Sequence, residues 1–236
     1  IPVEFLVNHR SIHWDDHAQE VTLYHVEFER HEVSIANGAP AESYRDDGNR
    51  WLFQNANSGW HLPPKPPCAP VLTGGPIVDA CWQRLLERAG PRPGLPLTDD
   101  PDLHLLVDGK RLDAVHRRAG THMFCLARPA LEARIVSRAG VPAELGMARD
   151  SRALGVALRC LELRQGRFVQ MTPAADPRLT DGFHDFEPEL AVRWTNGNAR
   201  LPSSLFDGFG GPLELTLHLA GTTRYPLVTP ASTAAA

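Results

Sequence analysis

The chain has 236 residues, enough for one large domain or two small ones. Its formal net charge of −4 is too balanced for a surface that binds nucleic acid or an anionic membrane. An apolar content of 42% supplies a packed core, and no apolar run approaches the roughly 18 residues of a membrane span. The 21 prolines and 19 glycines favour many turns over long helices.

Residues 1–44 carry strand patterning. Val3, Phe5 and Val7 alternate with Glu4, Leu6 and Asn8, and the opening Ile-Pro-Val-Glu-Phe-Leu-Val reads as the middle of a fold, which implies a natural protein extending upstream. Val21-Thr-Leu-Tyr-His-Val-Glu-Phe28 is rich in β-formers, and Val33-Ser-Ile35 leads into Asn37-Gly38, a strong hairpin dipeptide.

Residues 45–128 are mixed. Pro63-Pro-Lys-Pro-Pro67 is a stiff connector. A helix is expected from Pro76, with Val78, Cys81, Trp82, Leu85, Leu86 and Ala89 on its apolar face and Gly90-Pro91 as its stop. A second loop, 91–96, precedes the alternation Leu103, Leu105, Val107, and Asp108-Gly109 then signals a hairpin into Lys110-Arg-Leu112.

Residues 129–236 read as an antiparallel β-sandwich with a frayed tail from Thr229. Its evidence is the alternation of Leu154, Val156, Leu158 and Cys160, of Leu190, Val192 and Trp194, and of Leu213, Leu215, Leu217 and Leu219. Asp181-Gly182 and Thr195-Asn-Gly-Asn198 supply hairpin-turn chemistry between them. The fold class is therefore mainly β, with one intertwined domain as the alternative to three segments.

Few constellations carry chemistry. His9, His13 and His17 would share one face of a helix, but their neighbours favour a strand, where they stand roughly 13 Å apart and cannot share an ion. Asp99-Asp100, Asp102 and His104 read as a solvated turn, and Gly74-Gly75-Pro76 as the start of a helix rather than a phosphate cradle. No Gly-x-Ser-x-Gly is present. No metal and no cofactor are expected. Cys68, Cys81, Cys125 and Cys160 lack any C-x-x-C spacing and read as buried free thiols, with one disulfide left open.

Tyr24-His-Val-Glu-Phe-Glu-Arg-His-Glu-Val-Ser-Ile-Ala-Asn-Gly38 resembles the last strand block of Hint domains, the self-processing fold shared by inteins and hedgehog autoprocessing domains. The matching features fall on Tyr24, His25, Val26, His31, Val33 and Ala36-Asn37-Gly38. Ile1–Asn8 is similar to the segment after the first His block of that fold. Gly38-Ala-Pro-Ala-Glu-Ser-Tyr44, with Asp47-Gly-Asn-Arg50, is similar to a bacterial Hint subfamily that carries a long C-terminal extension. On this resemblance residues 1–44 are the C-terminal half of a Hint-like β-fold, 45–128 a mixed α/β linker region, and 129–236 a sandwich module. It leaves export or a cell-surface location open.

The resemblance implies chemistry and also its limits. No Cys or Ser opens a Hint nucleophile block here, and Glu42-Ser43 stands where inteins carry His-Asn. What remains is a single acyl shift to a thioester, followed by attack of an external nucleophile, without splicing. His31 takes the block position that polarises a carbonyl oxygen, and His25 a position suited to proton transfer. None of the four cysteines sits in a processing block, so no activity is expected from the 236 residues alone.

The stretch 181–199 resembles sandwich modules appended to bacterial surface and glycan-associated proteins, which implies a carbohydrate or protein partner. Trp194 is the candidate for stacking on a sugar, with a place in the core as the alternative reading.

Overall fold

A computed structural model describes residues 1–53, 63, 65–90 and 96–227. Strand makes up 35% of the chain and helix 14%, so the protein is mainly β. No helix among the described residues is long and apolar enough to cross a membrane. The chain divides into two compact units, Ile1–Arg88 and Ala89–Ala236. Pro64, most of the loop 91–96 and the tail from Val228 lie outside the described residues.

In the first unit, β1 (Val33–Ala36) and β2 (Ala39–Glu42) form the expected hairpin, with Ala36 opposite Ala39. Asn37 and Gly38 both have positive φ, 50° and 80°, which is the two-residue turn that Asn-Gly favours. The helix α1 (Pro76–Ala89) also runs as expected. It buries Val78, Trp82 and Leu86, spaced four apart, while Cys81 and Leu85 are half-buried and Gly90, at φ 75°, stops it. The Trp82 indole N–H donates to the Val7 carbonyl at 2.8 Å and so pins the N-terminal segment.

Two expected strands are absent. Val3–Leu6 is a 3-10 turn, and Asn8 ends it by accepting the backbone N–H of Arg10, Ser11 and Ile12 on its Oδ1 at 2.9–3.0 Å. These side-chain bonds replace the ladder that the alternation implied. Residues 9–17 are bends and turns, neither helix nor strand. Residues 21–28 form no ladder and are exposed throughout, Val21, Leu23, Tyr24 and Val26 at 60% or more, although His25 and Glu27 meet side-chain partners. Strand propensity records a fit to a pleated surface, and a strand needs a neighbour to become one.

The second unit opens with β3 (Leu97–Thr98), β4 (His104–Val107), β5 (Lys110–Asp113), β6 (His116–Arg118), β7 (Thr121–Leu126) and β8 (Ala133–Val136). A short helix, α2 (Pro142–Leu145), leads to β9 (Val156–Gln165), β10 (Phe168–Pro173), β11 (Phe183–Glu187) and β12 (Val192–Thr195). β13 (Asn198–Leu201), β14 (Leu213–Thr222) and β15 (Tyr225–Pro226) complete it.

One antiparallel sheet runs β11-β12-β9-β14-β7-β6, with β10 also on β9, and the other runs β13-β8-β4-β5. A single apolar core takes Phe124, Leu158, Leu161, Leu163, Leu215 and Leu217 from the first sheet and Leu105, Ile135 and Leu201 from the second. Strands between residues 97 and 126 therefore share both sheets and the core with strands after 129. The hairpin at Asp108-Gly109 forms as expected, with Val107 opposite Lys110.

Three details depart from the alternation. On β9 the inward phase shifts by one after Leu158, because His218 pairs Cys160 while the next residue, Leu219, pairs Leu158; Leu161 and Leu163 then take the core positions and Cys160 is left half-buried. Leu190 is 64% exposed and precedes β12, and Trp194 is half-buried rather than core. Thr195-Asn-Gly-Asn198 carries the chain from one sheet to the other instead of closing a hairpin. All four cysteines are free, and Cys68 and Cys125 are exposed rather than buried.

Candidate functional site

The first unit holds a cleft of about 410 Å³ whose lining includes both His25 and His31. β2 and the residues after it supply Glu42, Tyr44, Asp47 and Asn49, and the segment from Pro67 to Val71 supplies the opposite wall.

His31 is 8% exposed. The Cys68 backbone N–H donates to its Nδ1 at 2.9 Å, so Nδ1 is the acceptor and the neutral ring carries its proton on Nε2. That Nε2 lies 3.8 Å from Oε2 of Glu42, beyond hydrogen-bond reach, and Glu42 is exposed. His31 is thus a buried, oriented ring with a single N–H free to meet an acceptor such as a carbonyl oxygen. Ser43 beside it is buried, and its Oγ accepts the Glu32 N–H at 2.9 Å.

His25 packs edge-on against Phe53 and Tyr44, with ring centres 4.9 and 5.7 Å away, and Tyr44 meets Phe53 at 5.1 Å. The Tyr44 hydroxyl lies 2.8 Å from Asn49 Oδ1 and 3.2 Å from Asp46 Oδ1. Burial, with the Asp46 carboxylate beside it, pushes the phenol up. These rings hold His25 at the cleft without a hydrogen bond to either of its nitrogens among the described residues.

Behind the cleft stands an ion cluster. Arg50, 8% exposed, grips Glu27 in two parallel bonds of 2.7 and 2.8 Å and reaches Asp46 with Nε at 3.1 Å. Its guanidinium also stacks over the Tyr44 ring, 5.4 Å from the centre. Lys65 donates to Glu27 Oε1 at 2.8 Å and to the Phe28 carbonyl. Arg50 first and Lys65 second pull the Glu27 carboxyl down to about 2. The cluster fixes residues 27–28 against residues 46–50, and with them the positions of His25 and Tyr44.

Sequence reading identifies both histidines but not what orients them. Arg50 belongs to the quoted Asp47-Gly-Asn-Arg50 run, yet nothing in the spacing joins it to Glu27, 23 positions earlier. The Cys68 amide is 37 positions from His31 and gives no side-chain signal at all. Trp194 lies in β12 of the second unit, half-buried opposite Ala157 of β9.

No curated protein and no solved structure matches the chain. Residues 1–48 match the family model described as Hint domain, which supports a Hint domain at the N-terminus and takes in His25, His31 and Glu42 from the cleft lining.

Proposed function

We propose that residues 1–44 of the first unit are the C-terminal half of a Hint-type autoprocessing domain, and that the cleft is its half of the reaction centre. The observation that carries this reading is the convergence of His25 and His31 on one cleft, with His31 presented as an Nε2–H donor. In the reaction a Cys thiol attacks the preceding peptide carbonyl. The S–C bond forms, the C–N bond breaks, and the amine leaves with a proton. His31 holds the carbonyl oxygen as negative charge builds on it, and His25 carries the proton between sulfur and nitrogen. An external nucleophile then takes the acyl group from the thioester.

The Cys-bearing block is supplied by polypeptide other than these 236 residues. The surface of the unit supports that division. Val21, Leu23, Tyr24 and Val26 are each at least 60% exposed, and residues 21–28 form no strand ladder, so the unit has an apolar, unpaired flank of the kind another β-element covers. Glu42-Ser43 in place of His-Asn leaves no residue to cyclise, so splicing does not follow cleavage.

The test is to incubate the chain with dithiothreitol or hydroxylamine, alone and preceded by a Hint N-terminal block that carries the Cys and Thr-x-x-His. Intact mass alone and a discrete thiol-dependent fragment with the block support the reading. An unchanged mass in both arms, or a fragment from the chain alone, overturns it.

A further inference from the structure

The sequence contains two Asn-Gly pairs, Asn37-Gly38 and Asn196-Gly197, and the fold treats them oppositely. In such a pair the Asn side-chain amide is open to attack by the next backbone nitrogen, because glycine puts no side chain beside that nitrogen. The nitrogen must first swing onto the Asn Cγ, so whatever packing and hydrogen bonds hold the pair must open. Little holds the first pair. Asn37 and Gly38 are both exposed, at the tip of the β1–β2 hairpin. Among the described residues neither the Asn37 side chain nor the Gly38 N–H has a hydrogen-bond partner. The space beside Gly38 is open, with no atom within 4 Å of where a side chain would start. The hairpin itself is thinly anchored, since Ser34 and Ala41 are half-buried and the rest of both strands is exposed.

The second pair is held on every side. The Asn196 N–H donates to the Gly182 carbonyl at 2.8 Å, and its Oδ1 accepts the Asn198 N–H at 2.9 Å. The Gly197 carbonyl accepts the Ser137 N–H at 2.9 Å. Gly197 is buried, and a side chain there would start 2.9 Å from Ala139 Cβ and 3.1 Å from the Ser137 carbonyl oxygen. Ring closure at Asn196 therefore has to break these bonds and part the contact between the two sheets.

We propose that Asn37 is a self-modification site, which converts through a succinimide to aspartate and isoaspartate with water as the co-reactant, while the fold spares Asn196. The Gly38 backbone nitrogen bonds to Asn37 Cγ, the Cγ–Nδ2 bond breaks, and ammonia leaves with the proton from Gly38. Water then adds to one ring carbonyl and breaks its bond to the nitrogen. Opening at Cγ gives Asp, and opening at the main-chain carbonyl gives isoaspartate, whose chain runs through Cβ. Nothing is oxidised or reduced. Isoaspartate lengthens the turn by one carbon, which a two-residue loop with Ala36 opposite Ala39 does not absorb. The hairpin ladder ends at Val33 and Glu42, next to the bonds that join Glu32 to Ser43 beside His31. The modification thus loosens the cleft wall. The inference rests on the hairpin and not on the self-processing reading.

The whole chain is incubated in mildly alkaline buffer, and peptide mass spectrometry follows the one-dalton gain at each Asn, with electron-transfer fragmentation separating isoaspartate from aspartate. Asn37 converts about tenfold faster than Asn196 or more, since several neutral hydrogen bonds must open at the second site. In urea the two rates come together, because the fold is what separates them. In the isoaspartyl fraction the Ser43 amide exchanges faster than in the unconverted chain, whereas Asn37→Asp, which adds the charge without the extra carbon, leaves it near wild type. Hydroxylamine opens the same ring and splits the chain between residues 37 and 38, a terminus that tells this imide from a thioester. Equal rates in the folded chain, faster conversion of Asn196, a ratio that survives unfolding, or unchanged Ser43 exchange in the isoaspartyl fraction overturns the proposal.

Discussion

Glu27→Gln isolates the ion cluster behind the cleft. The substitution keeps the shape and one acceptor but removes the charge that receives two bonds from Arg50 and one from Lys65. Arg50, 8% exposed, keeps its ion pair with Asp46. Breaking a fully buried pair costs about 3–5 kcal/mol. Here the Glu27 side chain is 29% exposed, so solvent screens part of the loss and about 2 kcal/mol is expected. The amides of Ser43 and Tyr44, bonded to the Glu32 and Val26 carbonyls, report opening of this region by hydrogen exchange. At neutral pH the variant exchanges these amides about 30-fold faster, the factor that ~2 kcal/mol implies. The folded-state carboxyl sits at about 2 against an ordinary 4.5, so its stabilisation is complete above 4.5 and drains away as pH falls toward 2. The two proteins therefore converge over that interval. Equal exchange at neutral pH, or a difference that does not shrink with acid, refutes the role given to the cluster.

Other outcomes follow from single positions. Gly155→Ala places a methyl 2.4 Å from Thr195 Oγ1 and 2.7 Å from both the Gly197 nitrogen and Ser137 Oγ, so calorimetry should show a loss of about 3 kcal/mol and a Tm lower by roughly 6–12 °C. Tyr225→Phe removes the buried bond to the Gly155 carbonyl, 2.7 Å long, and costs about 1–2 kcal/mol in urea titration. Burial pushes that phenol up to about 12, so wild-type stability falls between pH 10 and 12 by an amount the Phe variant does not lose. Nitrogen-15 imidazole spectra of the neutral His31 should show an unprotonated Nδ1 and a protonated Nε2, and the reverse pattern contradicts the Cys68 bond.

Some of this architecture is legible in the sequence because it rests on local constraints. Asn37-Gly38 and Asp108-Gly109 specify their hairpins through positive φ at adjacent residues, and Val78, Trp82 and Leu86 specify the buried line of α1. Alternation is a weaker guide because it reports only which way side chains point. It does not distinguish residues 21–28, which have no ladder, from β14, which has one on each edge. It is also blind to the shift on β9 that moves Cys160 off the core, and to the sheet switch at Thr195-Asn-Gly-Asn198, where close approach at Gly197 rather than turn type sets the path. The two site histidines are visible through family resemblance alone. The parts that orient them are a backbone amide and a salt bridge formed across long separations, and neither leaves a periodic trace.

We propose that His31 works on a carbonyl during self-cleavage. The most direct measurement is the rate of dithiothreitol-dependent fragment release from the chain preceded by a Cys-bearing Hint block, in wild type and in His31→Ala, with the Ser43 and Tyr44 amides checked by hydrogen exchange to confirm the fold around the cleft. A rate lower by about a hundredfold or more is the expected result, the scale of a lost proton donor at a developing oxyanion. An unchanged rate in the folded variant contradicts the account.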